Sequence, residues 1–306
     1  MKALITGMSG FVGPFLRKSL SKNGYAVYGL DRQNPKKDKK IKICDITDSE
    51  AVEKVIADIK PDAIFHLAGQ SSVEKSWSIP EETHKINVEG TSNLLGAVVN
   101  SKLSSKILII SSADVYGQQD KLPITEDAVL HPRSPYAESR VEQEQIALRF
   151  YEKYDLHITI ARSFHHTGPG QSPPFVMPSF AKQIADIEKE KQKPVIKVGN
   201  LAVERDIADV RDVVEAYRIL MEKGEAGHIY NVCSGRKVSI GWVLDHLRSL
   251  SKETTNVTVQ KDNSLMRKND VDVAWGDNSK LRELGWNTTI PLEQTLKDLL
   301  TYWREQ

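Results

Sequence analysis

Short apolar runs alternate with amphipathic stretches along the first half of the chain. The runs predict strands buried on both faces, at residues 3–6, 26–30, 41–44, 63–67 and 107–111. The amphipathic stretches predict helices at residues 12–23, 49–59 and 87–100, and a further strand at 157–162 continues the series. Alternation of strand and helix is typical of a parallel sheet covered by helices on both faces. The pattern therefore predicts an α/β fold with a doubly wound parallel sheet.

The pattern changes beyond residue 165. A turn-forming segment, GPGQSPP at 168–174, comes first. Helices are then predicted at 178–190, 212–223 and 292–305, and strands at 195–198, 229–233 and 257–260, with a further segment of unassigned type at 239–251. We interpret residues 1–165, with returning segments near 203–240, as the first domain. Residues 166–202 and 241–306 are then a smaller, discontinuous α/β lobe that caps it.

Composition excludes several classes of function. The 306 residues carry 42 Lys and Arg against 41 Asp and Glu, so no overall field attracts nucleic acid or a membrane surface. Cys44 and Cys233 are far apart, which supports neither a disulfide framework nor a zinc site. No apolar run approaches the roughly 18 residues needed to span a bilayer, and the chain starts directly with a strand-like segment. We expect a soluble cytoplasmic protein.

A glycine-rich turn follows the first predicted strand. Gly7, Gly10 and Gly13 are spaced as in dinucleotide-binding folds, where they allow a tight turn, close approach to the pyrophosphate and close helix–strand packing. The helix that begins there would offer free N–H groups to phosphates. The alternative is an ordinary strand–helix turn. Asp31 favours a dinucleotide, because it ends the second strand 24 residues after Gly7, where a carboxylate binds the adenosine ribose.

Arg32, next to Asp31, leaves the choice of cofactor open. A carboxylate favours the free 2′-hydroxyl of NAD, whereas an arginine can pair with the 2′-phosphate of NADP. Arg32 could also be a solvated loop cation. We expect the protein to tolerate NADP or NAD.

Tyr136 and Arg140 are four residues apart and so share one face of a predicted helix. A cation beside a tyrosine hydroxyl favours its ionised form, and so makes a group of pKa about 10 a usable acid or base. Lysine is the residue that would more usually be expected beside a tyrosine in this role. The pair therefore indicates acid–base chemistry, whereas the presence of arginine in place of lysine argues against it.

Further motifs occur in a fixed order along the chain. They are Asp45-Ile46 after the third strand, HLAG at 66–69, NVEGT at 87–91, SSADVYG at 111–117, RSFHHTGPGQ at 162–171 and RDIADVRDV at 205–213. Together with the glycine turn and the Tyr136 pair, they resemble the extended short-chain dehydrogenases/reductases, which include nucleotide-sugar epimerases, dehydratases and reductases. The resemblance covers essentially the whole chain and implies a Rossmann-type fold. The residues that it assigns to the cofactor are Gly7, Gly10, Phe11, Val12, Gly13, Asp31, Arg32, Asp45, Ile46, Leu67, Ala68, Gly69, Tyr136 and Arg140.

The resemblance also implies catalytic roles. Tyr136 would exchange a proton with a sugar oxygen while a hydride moves to or from the nicotinamide, and Ser112 would hydrogen-bond to that oxygen. For Ser112 the alternative is a capping hydroxyl at a strand end. Arg140 stands where the family has a basic residue that binds the nicotinamide ribose and lowers the pKa of the tyrosine. Arginine keeps the charge and several donors, and the alternative is an altered or impaired site.

Segments of the second half resemble the GDP-mannose branch of this family. They are FV at 175–176, FAKQIADIE at 180–188 and IKVGNL at 196–201, and they are most similar to the reductases of GDP-6-deoxy-4-keto-mannose that make GDP-rhamnose. The implied substrate is a GDP-linked 4-keto-6-deoxy sugar. The residues that the resemblance assigns to it are Ser72, His165, Val176, Lys182, Arg205, Arg267 and Asp270. Paired arginines suit a diphosphate, although Lys182 or Arg267 alone could equally be a surface charge.

His165-His166 departs from the Asn-His of that branch. A histidine can still donate a hydrogen bond to a phosphate, but in a pH-dependent way. Adjacent residues diverge on a strand and no third ligand is suitably spaced, so we expect no metal site.

Other activities stay open. Dehydratases of the family carry Thr-Asp-Glu or Thr-Ser-Glu at the positions of residues 112–114, where their carboxylate acts as an extra acid or base. Ala113 cannot do this and Asp114 is one methylene shorter than glutamate, so dehydration is disfavoured without being excluded. A 4-epimerase and a non-catalytic dinucleotide-binding regulator are the further alternatives.

We also expect a homodimer, because this family commonly pairs through a four-helix bundle. Leu94, Leu95, Val98 and Val99 could contribute to such an interface. Ordinary core packing explains the same four residues equally well.

Overall fold

The computed structural model describes residues 1–35, 37–251, 257–266 and 270–306. Within these residues, seven parallel strands form one sheet in the order β10-β6-β5-β4-β1-β2-β3. Its strands are β1 (Lys2–Thr6), β2 (Ala26–Asp31), β3 (Ile41–Ile43), β4 (Ala63–His66), β5 (Lys106–Ser112), β6 (Ile158–Ser163) and β10 (Ile229–Val232). The predicted doubly wound α/β fold is confirmed.

Helices cover both faces of this sheet. They are α1 (Gly13–Lys22), α2 (Ser49–Ile59), α5 (Gly90–Asn100), α6 (Pro135–Tyr154) and α8 (Val210–Lys223). The short helices α3 (Val73–Ser78) and α4 (Pro80–His84) pack on α6, and a π-helical turn (Lys85–Glu89) leads into α5. Ala3 and Ile5 of β1 belong to a core cluster shared with α1 and α8, whereas Leu4 belongs to a cluster shared with α2, α5 and α6. Successive strand residues face opposite sides, so both sides are apolar and the strands read as continuous apolar runs.

The apolar face of α5 is part of this core. Leu94, Leu95 and Val98 are fully buried within the chain and pack with residues of α2 and the sheet. Val99 is partly buried against the same cluster. Core packing therefore accounts for the three buried residues, and they are not available as a dimer surface.

A second group of elements follows β6. The strands β7 (His165–Thr167), β9 (Glu204–Asp209), β11 (Lys237–Ser239) and β13 (Val273–Ala274) form one small sheet, and β8 (Val195–Val198) pairs with β12 (Thr258–Lys261). The helices α7 (Val176–Glu188), α9 (Ile240–Ser249) and α11 (Leu292–Glu305) share a third core cluster. The short α10 (Ser279–Glu283) contacts β10. The sequence pattern predicts no strand at β7, β9, β11 or β13, because β7, β11 and β13 have only two or three residues and β9 is rich in charged residues.

The order of the large sheet reverses between β1 and β4. These strands are neighbours, with Thr6 opposite His66 at their carboxyl ends. In open α/β sheets, ligands bind in the crevice outside the strand ends at such a point. Among the described residues, no helix is both long enough and apolar enough to cross a membrane.

Candidate active site

The glycine turn lies at the carboxyl end of β1, in this crevice. Gly7 has a φ of +71°, and a Cβ added there would lie 2.9 Å from the amide nitrogen of Ala68. A Cβ on Gly13 would lie 2.2 Å from the carbonyl oxygen of Met8. Both positions therefore require glycine, one for its backbone conformation and its close neighbour, the other for close packing of α1. The structure thus supplies a physical reason for two of the three predicted glycines.

The first turn of α1 offers its N–H groups to a ligand. No described side chain caps this helix at Val12, whereas Asp48, Ser134 and Asp209 cap α2, α6 and α8 with side-chain hydrogen bonds. Free N–H groups and the helix dipole together favour an anion at this end. Phe11 lies beside it and stacks on His166 of β7, with ring centroids 6.2 Å apart. The turn fits the pyrophosphate of a dinucleotide.

Asp31 is tied to the same turn. Its Oδ2 accepts a hydrogen bond of 2.8 Å from the backbone nitrogen of Ser9. Arg32 is exposed, and its charge acts on Asp45. Burial raises the pKa of Asp45, but hydrogen bonds from Thr47 and the charges of Arg32 and Lys85 lower it below its usual value overall. The predicted ribose-binding carboxylate and its neighbouring cation therefore lie next to the glycine turn.

The segment after β4 joins the turn to α6. The amide nitrogen of Ala68 donates a 3.0 Å hydrogen bond to Oγ1 of Thr6. A Cβ on Gly69 would lie 2.7 Å from Nη2 of Arg140. Leu67 is partly buried against the core shared with α1. Ile46 is buried and packs so closely on Gly90 that a Cβ there would lie 2.7 Å from it.

Tyr136 and Arg140 lie on the first turns of α6, which begins after the capping hydroxyl of Ser134. Both side chains are buried. The guanidinium carbon of Arg140 lies 5.2 Å from the centre of the Tyr136 ring. Nη1 of Arg140 donates to the carbonyl oxygen of Ile110 at 3.2 Å and to Oε1 of Gln143 at 2.8 Å. The two residues share one face of α6, as the spacing predicts. The described contact between them is a cation–π contact of the guanidinium with the tyrosine ring.

Ser112 ends β5 and starts the 3-10 turn Ala113–Tyr116. Its Oγ accepts a 3.2 Å hydrogen bond from the amide nitrogen of Asp114, so it does cap this turn. Helix α6 packs against both β5 and the turn. Ser112, Asp114 and Tyr136 therefore belong to adjoining elements at the carboxyl end of β5, as the catalytic interpretation requires.

A buried ion pair lies between β6 and α6, close to these residues. Nη2 of Arg162 on β6 is 2.7 Å from Oε2 of Glu144 on α6, and both side chains are 4% exposed. Ser111 donates to the same carboxylate at 2.5 Å, and Arg162 Nη1 donates to the hydroxyl of Tyr116 at 3.1 Å. Burial raises the pKa of Tyr116 well above its ordinary value, against the opposing effect of Arg162. Glu144 is not recognisable from the sequence pattern, because its partner is 18 residues away on another element.

Arg205 and Asp270, both assigned to the substrate, contact each other. Nη2 of Arg205 donates to Oδ1 of Asp270 at 2.7 Å, and Arg205 is 5% exposed. His165 lies on β7, opposite Ile207 of β9. Val176 is the first residue of α7, and Ser72 caps α3. Arg267 lies outside the described residues.

Lys182 faces another helix. Its Nζ pairs with Asp186 on the same helix and lies 5.9 Å from the centre of the Trp303 ring on α11. These described contacts connect Lys182 with the C-terminal helix and with none of the other site residues. Among the described residues, no group of His, Cys, Asp and Glu side chains could hold a metal ion.

Comparison with known proteins agrees with this geometry. The family model of GDP-mannose 4,6 dehydratase matches residues 4–299. A GDP-6-deoxy-D-mannose reductase of Pseudomonas aeruginosa is 34% identical over all of this chain and 98% of its own length. The human GDP-mannose 4,6 dehydratase is 28% identical over 97% of this chain and 90% of its own length.

Solved structures give the same result. The structure of RMD from Pseudomonas aeruginosa complexed with NADPH superposes with a TM-score of 0.88 at 34% identity and covers 99% of both chains. A UDP-glucose 4-epimerase of Thermotoga maritima with UDP-glucose reaches a TM-score of 0.90 at 28% identity, over 100% of this chain and 99% of its own. The chain therefore belongs to the GDP-mannose 4,6-dehydratase family of extended short-chain dehydrogenases/reductases.

Proposed function

We propose that this protein is an NAD(P)H-dependent reductase that acts on C4 of a GDP-linked 4-keto-6-deoxy-hexose. The observation that carries the proposal is the Tyr136–Arg140 pair beside the end of β5, in a chain with 34% full-length identity to a GDP-6-deoxy-D-mannose reductase. The family membership predicted from the motifs is confirmed, and it makes the protein an oxidoreductase of nucleotide sugars.

The cofactor is NADP or NAD. The left-handed Gly7, the tightly packed Gly13 and the uncapped α1 fit a dinucleotide pyrophosphate. Asp31 would contact the adenosine ribose, and Arg32 beside it suits a 2′-phosphate. Arg140 would bind the nicotinamide ribose.

The chain's own residues supply the proton chemistry. A bound reduced nicotinamide provides the hydride that the C4 carbon accepts. Tyr136 donates its phenolic proton to the C4 oxygen, and Ser112 Oγ donates a hydrogen bond to the same oxygen as negative charge develops. Arg140 holds a positive charge beside Tyr136 throughout, because a guanidinium stays protonated.

The nucleotide would lie against the second group of elements. Arg205 is our candidate for the diphosphate, since a planar guanidinium can bind two oxygens. A ligand there would share Nη2 with Asp270 and Nη1 with the carbonyl oxygens of Glu204 and Asp272. The pairing of Arg205 with Asp270 keeps the buried guanidinium neutralised without ligand. The contacts of Lys182 with Asp186 and Trp303 make it a weaker candidate for a phosphate ligand than the sequence suggests. The homodimer and the domain boundaries stay predictions.

The test is oxidation of the reduced cofactor by the substrate. Purified protein with NADPH or NADH and GDP-4-keto-6-deoxy-mannose should lose the absorbance of the reduced nicotinamide in proportion to the sugar added. Tyr136→Phe should bind the cofactor and slow turnover by roughly a hundredfold or more. A 4-epimerase would interconvert sugars without net consumption of cofactor, and a dehydratase would convert GDP-mannose itself. NADPH binding without turnover of any GDP-4-keto-6-deoxy-hexose would favour a regulator and overturn the proposal.

A further inference from the structure

Gln143 lies one turn after Arg140 on α6 and is fully buried. Both the oxygen and the nitrogen of its side-chain amide form hydrogen bonds. Oε1 accepts the 2.8 Å hydrogen bond from Nη1 of Arg140, and Nε2 donates at 2.8 Å to Oγ1 of Thr91 on α5. A guanidinium has donors and no acceptor, so the amide oxygen must face Arg140. The orientation of Gln143 is therefore fixed by its two partners.

Thr91 continues the chain of hydrogen bonds. Its hydroxyl lies 2.6 Å from the carbonyl oxygen of Asn87, to which it gives its proton, and 2.9 Å from Nε2 of His66. With that proton committed, Nε2 of His66 must carry a hydrogen. Nδ1 of His66 then accepts from the hydroxyl of Thr6, at 2.8 Å.

His66 is a neutral link in this chain. Burial, together with the charge of Arg140, lowers the pKa of its imidazole to about 3, so it stays uncharged at ordinary pH. Thr6 immediately precedes Gly7, and its Oγ1 also accepts from the amide nitrogen of Ala68. Each link from Gln143 through Thr91 and His66 to Thr6 has its hydrogen-bond partners, and satisfied buried links of this kind are rigid. The chain thus connects the glycine turn and the segment after β4 with Arg140.

The arrangement suits arginine in particular. One nitrogen of the fork, Nη1, serves both Ile110 and Gln143, while Nη2 lies where residue 69 has no Cβ. Nε is buried without a hydrogen-bond partner among the described residues, so Nη1 carries the described hydrogen bonds of the side chain. A lysine has one compact ammonium on a flexible stem and lacks this fork.

We propose that Gln143 is a positioning residue, whose amide oxygen fixes the guanidinium of Arg140 beside Tyr136 and against the cofactor. The inference rests on the proposed function for the reaction concerned. According to this proposal, the hydrogen-bond partners around position 140 suit the guanidinium of an arginine. Gln143 is fully buried and acts through Arg140.

A double-mutant cycle tests this directly. The variants are Gln143→Met, Arg140→Met and both together, with Gln145→Met as the matched control, since Gln145 is exposed on the same helix. Gln143→Met should lower kcat and raise the Kd for NADPH about tenfold in the natural background, but have little further effect once Arg140 is gone. Gln145→Met should change neither quantity. Additive effects of the two buried substitutions would overturn the proposal.

Gln143→Glu provides a second readout, because it keeps the size of the side chain and places a negative charge against Arg140. The alkaline limb of the pH–rate profile should then move to higher pH, an effect that a loss of packing alone does not produce. An unmoved profile with reduced activity would mean that Gln143 is merely structural.

The cycle read on the Kd for NADPH separates the two proposals. Coupling in NADPH binding without turnover of the sugar would refute the proposed function and support Gln143 as a positioning residue. Turnover of the sugar without coupling in NADPH binding would support the proposed function and refute the positioning role of Gln143.

Discussion

The guanidinium carbon of Arg140 lies 5.2 Å from the centre of the Tyr136 ring, on the same helix and one turn away. Its Nη1 is held at the same time by Ile110 and Gln143. A cation placed in this way is fixed by the surrounding protein rather than by solvent. The geometry bears directly on whether arginine is a defective replacement for lysine.

Arg140→Lys should reduce activity. A lysine side chain is shorter than arginine and ends in one ammonium on a flexible stem, so we expect at least one of the two hydrogen bonds that Nη1 donates to Ile110 and Gln143 to be lost. We expect kcat/KM with NADPH to fall on the order of ten- to hundredfold. Steady-state kinetics over a range of NADPH concentrations would measure this. A rise in turnover would instead identify arginine as an impairment of the site.

Gly69→Ala should weaken cofactor binding. Its Cβ would lie 2.7 Å from Nη2 of Arg140 and 2.9 Å from Oδ1 of Asn87. Both groups are buried and hydrogen-bonded, so crowding should displace the guanidinium at a cost of about 1–3 kcal/mol. We expect the Kd for NADPH to rise because cofactor binding is weakened, and the Tm to fall because the crowding destabilises the fold.

Gly96→Ala is the matched control for that substitution. A Cβ on Gly96, within α5, would meet no described atom within 4 Å. Alanine is a better helix former than glycine, so the variant should be more stable by about 0.5–1 kcal/mol and bind NADPH normally. Equal effects of the two substitutions on NADPH binding would contradict the role given to Gly69.

Arg205→Met should abolish most of the affinity for GDP. The buried guanidinium is the proposed diphosphate ligand, and methionine retains its apolar stem. We expect the Kd for GDP, measured by calorimetry, to rise by about a hundredfold, as for loss of a charge-assisted hydrogen-bonded pair. The exposed Arg236→Met should leave GDP binding unchanged. An unaltered Kd in Arg205→Met would show that the guanidinium does not bind the diphosphate.

Stability should depend on pH through Asp206 of β9. This carboxyl is fully buried, and it accepts hydrogen bonds from the backbone nitrogens of Ser234 at 2.7 Å and Gly235 at 2.9 Å. Burial raises its pKa from 3.8 to about 6, against the opposing effect of these donors. Folding thus favours the protonated form, so this contribution to stability is complete below about pH 4 and is lost as the pH rises through 6.

Asp206→Asn removes that titration. The Tm of the natural protein should fall by a few degrees between pH 5 and pH 7 relative to the variant, whose absolute Tm is lower because an amide has one acceptor oxygen in place of two. Parallel pH–Tm curves for the two proteins would contradict the assignment.

Most strands of the large sheet were predictable because they are buried on both faces, so local composition reports burial directly. The edge strand β3 is the exception to the expected burial, since none of its three residues is buried and Ile43 is 70% exposed. The Tyr136–Arg140 pair was predictable because helical spacing alone puts both residues on one face. The Arg162–Glu144 pair and the Gln143 chain depend on which elements become neighbours, and that is set by the tertiary fold. The surroundings of Lys182 show the same limit, since they depend on the return of α11 near residue 303.

Strand β10 is a late addition to the edge of the large sheet. It pairs with β6 although almost seventy residues separate them, and the carbonyl oxygen of Val232 accepts from the nitrogen of Phe164 at 2.9 Å. During synthesis, therefore, the edge of β6 is open until the ribosome has released about residue 232. An open edge of this kind can pair with another chain. A truncated protein that ends near residue 165 should accordingly aggregate, even though it carries the glycine turn, Ser112, Tyr136 and Arg140.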